Sequence, residues 1–235
     1  MSIFVIADLH LSFSENKPMD IFGENWNDHA NKIKENWMKQ VSENDLVVIP
    51  GDFSWAMHLK DTYEDFKFIN ELPGKKVLLK GNHDYWWTTI KSMKKYLADN
   101  NFNNIEFLQN NAIVYEDKII CGTRGWTFLE SENSKKMINR ENERLKLSLQ
   151  AGIDTYGTNK PIIVFMHYPP YVNNDNAQID KMIFIDTMKK FNVQQCYYGH
   201  LHGNSHKDAI EETIQGIKLN LISADFLKFK LHKIL

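Results

Sequence analysis

The chain has 235 residues, 43% hydrophobic and 25% charged, enough apolar material for a sizeable core and too much for global disorder. Its formal net charge of -2 and isoelectric point near 6.5 argue against long nucleic acid or an anionic membrane as the main partner, since either favours a basic face. Two cysteines, Cys121 and Cys196, are too few for a disulfide scaffold and read as buried thiols.

Taken in chain order, the apolar run 3–7 reads as a buried strand that leads into Asp8-Leu9-His10, and Asp8 stops it short of a secretory core. Ile33, Trp37 and Val41 recur at helical spacing before a second strand, 46–50, which leads into Gly51-Asp52. Phe66 and Ile69 mark a helix before a third strand, 76–79, which opens into Gly81-Asn82-His83-Asp84. Ile90, Met93 and Leu97 predict the next helix. Runs 112–115 and 118–122 flank Glu116-Asp117 as a hairpin. A longer helix is expected from about Ser134 to Ala151, with Gly152 as its C-cap. Strand 162–166 then leads into His167-Tyr168-Pro169-Pro170. Ile179, Met182, Ile183 and Phe191 mark a helix before run 193–198, which ends in Gly199-His200-Leu201-His202. A second hairpin, 210–214 with 217–222, turns at Gln215-Gly216.

Strands alternating with helices imply an α/β fold with parallel pairs, and the hairpins make the pairing mixed. There is no repeat, low-complexity block or linker, so residues 1–235 read as one domain. No stretch reaches the roughly 20 apolar residues of a membrane helix, and no signal peptide is legible, so the cytoplasm is the expected location and no membrane partner is expected.

In open α/β sheets, ligands gather at the carboxyl ends of strands, and the unusual polar residues stand at that end of all five runs. Each motif alone is weak, since Gly-Asp also makes ordinary turns and a lone histidine is more often a surface or core residue. Together they supply Asp8, His10, Asp52, Asn82, His167, His200 and His202. Imidazole and carboxylate suit first-row transition metals, whereas a calcium cage would be built from oxygen alone and a structural zinc cluster would use cysteine. Seven donors are too many for one tetrahedral ion and enough for two. A pair of ions about 3.5–4 Å apart can clamp a phosphoryl group, activate water and stabilise the leaving oxygen.

This ordered set resembles the motifs of the calcineurin-like metallophosphoesterases: Asp-x-His, Gly-Asp, Gly-Asn-His-Asp/Glu, a lone histidine after a strand, and Gly-His-x-His, here running from Asp8 to His202. The resemblance implies a sandwich of two mixed β-sheets flanked by helices. It also implies that Asp8, His10 and His202 bind one metal, that Asn82, His167 and His200 bind a second, and that Asp52 bridges both. The ions would be divalent or transition metals, drawn from Mn, Fe, Zn or Co. A metal-bridging hydroxide would be the nucleophile. His83 would lie over the substrate, stabilise phosphoryl oxygens and protonate the leaving group, with Asp84 holding its ring.

The expected activity is hydrolysis of a small-molecule phosphate ester, either monoester or diester. A nuclease with the same centre is the alternative, against which stands the lack of basic surface or extra domains. A non-catalytic scaffold would show lost ligands, and none is lost. The protein-phosphatase extension Gly-Asp-x-x-Asp-Arg-Gly is absent, because Phe53-Ser54-Trp55-Ala56-Met57 follows Asp52. Of the arginines, Arg140 and Arg144 fall on the polar face of the long predicted helix. Arg124, in Gly122-Thr123-Arg124-Gly125-Trp126, is either a substrate contact or half of a structural salt bridge. Trp55, Tyr85, Trp86, Trp87, Trp126, Tyr168 and Tyr171 cluster near the motifs. Packing accounts for most of them, and any that line the cleft would stack on an aryl group or nucleobase.

Overall fold

The structure, a computed structural model, describes residues 1–15, 17–129, 131–173 and 180–234. In chain order its elements are β1 (Ile3–Val5), α1 (His29–Gln40), β2 (Leu46–Pro50), α2 (Tyr63–Asn70), β3 (Lys75–Leu79), α3 (Ile90–Asp99) and β4 (Ile105–Phe107). They continue with β5 (Ile113–Tyr115), β6 (Lys118–Thr123), α4 (Glu132–Tyr156), β7 (Ile162–Met166), α5 (Ile183–Lys190), β8 (Gln195–Tyr198), β9 (Thr213–Ile214), β10 (Ile217–Leu221) and β11 (His232–Lys233). The chain divides into two compact units, Met1–Phe107 with Ile222–Leu235, and Leu108–Leu221.

The first unit holds a five-stranded sheet in the order β11-β1-β2-β3-β4. Strands β1 to β4 are parallel and β11 is antiparallel at the edge. Every residue of β2 is buried, as expected for a parallel strand covered on both faces. Ile33 and Trp37 of α1 and Phe66 and Ile69 of α2 enter one core with Phe4, Val47 and Leu78. The Trp37 indole donates to the Pro73 carbonyl at 2.9 Å, which satisfies its one polar atom inside that core. Lys76 is also wholly buried, with its ammonium donating to the Leu72 carbonyl, and burial pushes it down to about 8.

The second unit holds a six-stranded sheet in the order β5-β6-β7-β8-β10-β9. Its centre, β6-β7-β8-β10, is parallel, and the hairpin strands β5 and β9 close both edges antiparallel. Gln215 (φ 48°) and Gly216 (φ 87°) give the β9–β10 turn positive φ at both central positions, the type I′ geometry that suits strand twist. Helix α4 lies on β6 and against α5. Two mixed sheets flanked by helices are thus the architecture of the chain.

Several expectations shift. Helix α4 does not stop at Gly152 but continues to Tyr156, with Gly157 (φ 82°) as its cap. Gly152 is instead a packing position, because an added Cβ would sit 2.7 Å from Ile119 Cγ2 and 3.2 Å from Cys121 Sγ. Strands β4 and β11 were not read, and β1 ends at Val5, with Ala7 joined only by an isolated bridge to Ser223. Helix α5 begins at Ile183, with Met182 as its N-cap, and Ile179 lies outside the described residues. Both cysteines are buried free thiols. Among the described residues, no helix is long and apolar enough to cross a membrane.

Candidate metal centre

In the first unit, Asp8 and His10 follow β1, Asp52 follows β2, and Asn82, His83 and Asp84 follow β3. The first two loops run side by side. The Asp8 N–H donates to the Gly51 carbonyl (3.0 Å), the His10 N–H to that of Asp52 (2.9 Å) and the Leu11 N–H to that of Phe53 (3.0 Å). Asp8 (φ 63°), His10 (φ 46°) and Asp52 (φ 51°) all adopt the left-handed backbone region. Each such residue costs about 1–3 kcal/mol, strain that characteristically collects at functional sites. All three side chains are buried, and His10 Nε2 stands 3.8 Å from Asp52 Oδ2. Buried carboxylates are expensive unless compensated, and two of them with an imidazole form a donor set that fits a divalent transition metal.

Gly81 lets the third loop close on the second. A Cβ there would lie 2.1 Å from Asp52 Oδ1 and 2.2 Å from the Asp52 nitrogen. The His83 N–H donates to Asp52 Oδ1 at 2.8 Å. Asn82 and the His83 ring are half-buried. Contrary to expectation, Asp84 does not hold the His83 ring. Its fully buried carboxylate accepts the N–H groups of Gly81 (2.7 Å), Asp52 (2.9 Å), Phe53 (3.0 Å) and Ser54 (3.3 Å) and the Trp86 indole (3.1 Å). Burial, and then the charge of Asp52, push it up to about 7, while the backbone donors pull the other way. Asp84 therefore ties the β2 and β3 loops together. The His83 ring is packed by aromatics instead, with Trp55 at 4.3 Å, His10 at 5.7 Å and Tyr85 at 6.2 Å between centroids.

Of the aromatic cluster, Trp55 stacks on the His10 ring at 4.9 Å and 22° as well as packing on His83, whereas Trp86 and Trp87 belong to the core, as packing predicts. Two groups around these loops were not legible in the sequence as parts of the site. Ser54 donates its hydroxyl to buried Asp65 of α2, whose other oxygen accepts the Phe13 N–H at 3.1 Å. Burial raises the Asp65 carboxyl to about 6. His29 Nε2 lies 3.3 Å from the His10 carbonyl.

In the second unit, His167 follows β7, and His200 and His202 follow β8. The loops are again laced through backbone. The Arg124 carbonyl accepts the N–H groups of His167 (3.2 Å) and Tyr168 (2.9 Å), and the His167 carbonyl accepts that of Gly199 (3.1 Å). His167 is buried, and its ring lies 5.1 Å from that of His200. His200 is half-buried, takes φ 74° and packs 4.2 Å from Tyr168. His202 is half-buried two residues on.

Arg124 stands over Trp126 at 4.5 Å, with Nη2 3.7 Å from Oε1 of fully buried Glu141. Arg144, expected on a solvated face, is the closer partner of the same oxygen at 2.8 Å, and Thr123 donates to the other at 2.6 Å. Burial lowers the Arg124 pKa, and its buried Nε has no hydrogen-bond partner among the described residues.

No curated protein matches the chain. Among solved structures it is similar to a protein of unknown function from Aquifex aeolicus, at 19% identity and a TM-score of 0.56 over 99% of this chain and 95% of that one. It is similar to the phosphopantetheinyl hydrolase of Mycobacterium tuberculosis, at 13% identity and a TM-score of 0.59 over 100% and 95%. A Thermus thermophilus protein gives 13% identity and a TM-score of 0.62 over 98% and 96%. At these identities the likeness is one of fold. The family match is of another kind, because it spans residues 1–204 and takes in every strand-end motif described above. The chain belongs to the calcineurin-like phosphoesterases.

Proposed function

We propose that the chain hydrolyses a small phosphomonoester or phosphodiester, using two divalent or transition-metal ions held by Asp8, His10, Asp52, Asn82, His167, His200 and His202. The observation that carries this reading is that the family match over residues 1–204 takes in every one of these donors. Asp8, His10, Asp52 and His200, all at strand ends, take left-handed conformations without being glycine. Residues 1–235 would act as one metallophosphoesterase domain.

When bound, the ions would activate water and neutralise charge on the phosphoryl group. The protein's own groups would do the rest. His83, packed on Trp55, would face the departing oxygen and give it a proton. The Asp84 cradle of N–H groups would keep the Asp52 and His83 loops in register. Arg124, held loosely by Glu141, would offer its remaining donors to an anionic oxygen of the substrate.

The test is a screen of metal-reconstituted protein on an aryl monoester, an aryl diester, cyclic nucleotides and nucleoside polyphosphates. Turnover of a monoester or diester should vanish on chelation and return with Mn²⁺ or Co²⁺. Full turnover with metal shown to be absent would refute the reading, and turnover confined to DNA or RNA would favour the nuclease alternative.

A further inference from the structure

The ring that packs on His83 also forms the wall of a cavity. Trp55 lines a space of about 330 Å³ together with Lys17, Pro18, Met19, Ile21 and Phe22. The lining is almost entirely apolar, with the Lys17 ammonium as its one charge among the described residues. Ile21 and Phe22 are 74% and 61% exposed, an unusual outlay for two large apolar side chains on one short turn. The wall is fixed rather than loose, since the Trp55 indole N–H donates to Met19 Sδ at 3.1 Å and Met19 itself is buried. The Lys17 ammonium stands 4.7 Å from the Trp55 ring centroid.

We infer that this shelf is a specificity subsite, and that it takes an aryl or nucleobase ring carried on the leaving group of the ester. The inference rests on the phosphoesterase reading and adds the substrate class to it. Continuity carries it, because one indole touches the rings of His10 and His83 and also bounds the cavity. A group leaving from the phosphorus near His83 therefore meets Trp55 and, beyond it, the shelf. The chemistry of the lining selects a ring over an alkyl chain. Trp55 and Phe22 offer aromatic faces and edges, the Met19 sulfur suits an aromatic neighbour, and the Lys17 cation favours a π-face.

The test compares 2-(1-naphthyl)ethyl phosphate with ethyl phosphate, whose leaving alkoxides are of similar basicity, so that a difference reports binding of the ring. Metal-loaded wild type should prefer the naphthyl ester in kcat/KM, and Phe22→Ala should cut that preference about tenfold. Lys17→Ala should cut it in the same direction. In parallel, the non-hydrolysable 2-(1-naphthyl)ethylphosphonate, titrated by its fluorescence, should bind Phe22→Ala about tenfold more weakly. A preference and an affinity unchanged within about twofold would overturn the subsite while leaving the phosphoesterase reading intact. Failure of wild type to hydrolyse either ester would instead contradict the monoester half of that reading, and the phosphonate titration would still decide the shelf. A concentration-dependent dimer that Phe22→Ala abolishes would assign the shelf to a second copy of the chain and overturn the substrate assignment.

Discussion

His83 is the residue at which the proposed ligation and the proposed catalysis would separate. It follows Asn82 in the same loop, and its own N–H is committed to Asp52, so its backbone belongs to the proposed metal site while its ring packs on Trp55. The metals would activate water, but an alkyl leaving oxygen also needs a proton, and imidazole titrates in a useful range. We expect His83→Asn to keep its metals and to lose roughly 10²–10⁴-fold in kcat on an alkyl ester. The loss should be smaller on an aryl ester, whose leaving group is already a stable anion. Equal losses on both would assign His83 to the phosphoryl charge, and lost metal would make it a ligand. Its neighbour Asp84 shows where the sequence misleads. Adjacency suggests that the carboxylate holds the imidazole, whereas five N–H donors already occupy it. Three of those donors lie 30 to 32 positions away, and contacts of that span leave no mark on a local motif.

At the scale of elements, the third loop can approach the second only because residue 81 has no side chain. A methyl group there would meet both the carboxylate and the backbone nitrogen of Asp52, and backbone cannot yield as a flexible side chain can. Gly81→Ala should therefore lower stability by about 1–3 kcal/mol, as overpacking does, and cost more than about 100-fold in kcat through misplacement of Asp52. Thermal unfolding and steady-state rates check this, and a wild-type melting temperature with normal kcat would show that the loop has slack. The elements themselves were largely legible. β2 and β7 are continuous apolar runs closed by Gly-Asp and by His-Tyr-Pro-Pro, α1 buries Ile33 and Trp37, and α3 buries Met93 and Leu97 with Ile90 half-buried beside them. What escaped was short or non-local. β11 is two residues long, and β4 is three residues at a sheet edge. The Ser54–Asp65 bond joins a loop to a helix, and Gly152 reads as a cap until Ile119 and Cys121 are seen against it.

At the scale of the whole molecule, the proposed donors are divided along the chain. Asp8, His10, Asp52 and Asn82 belong to the first unit, and His167, His200 and His202 to the second. The family match runs through both and gives the shared activity class, while the substrate would be selected by parts of the chain outside the motifs, such as the proposed shelf at Lys17 to Phe22. The central claim is the proposal that these donors would hold two ions, with Asp52 a ligand to both. Removing a bridging carboxylate leaves two cations facing each other with less negative charge between them, so both sites should weaken together. Metal content of purified, reconstituted protein measures this directly. Wild type should carry up to two transition-metal ions per chain, and Asp52→Ala should fall at both sites. Two ions held with normal affinity by Asp52→Ala, or none held by wild type, would contradict the account.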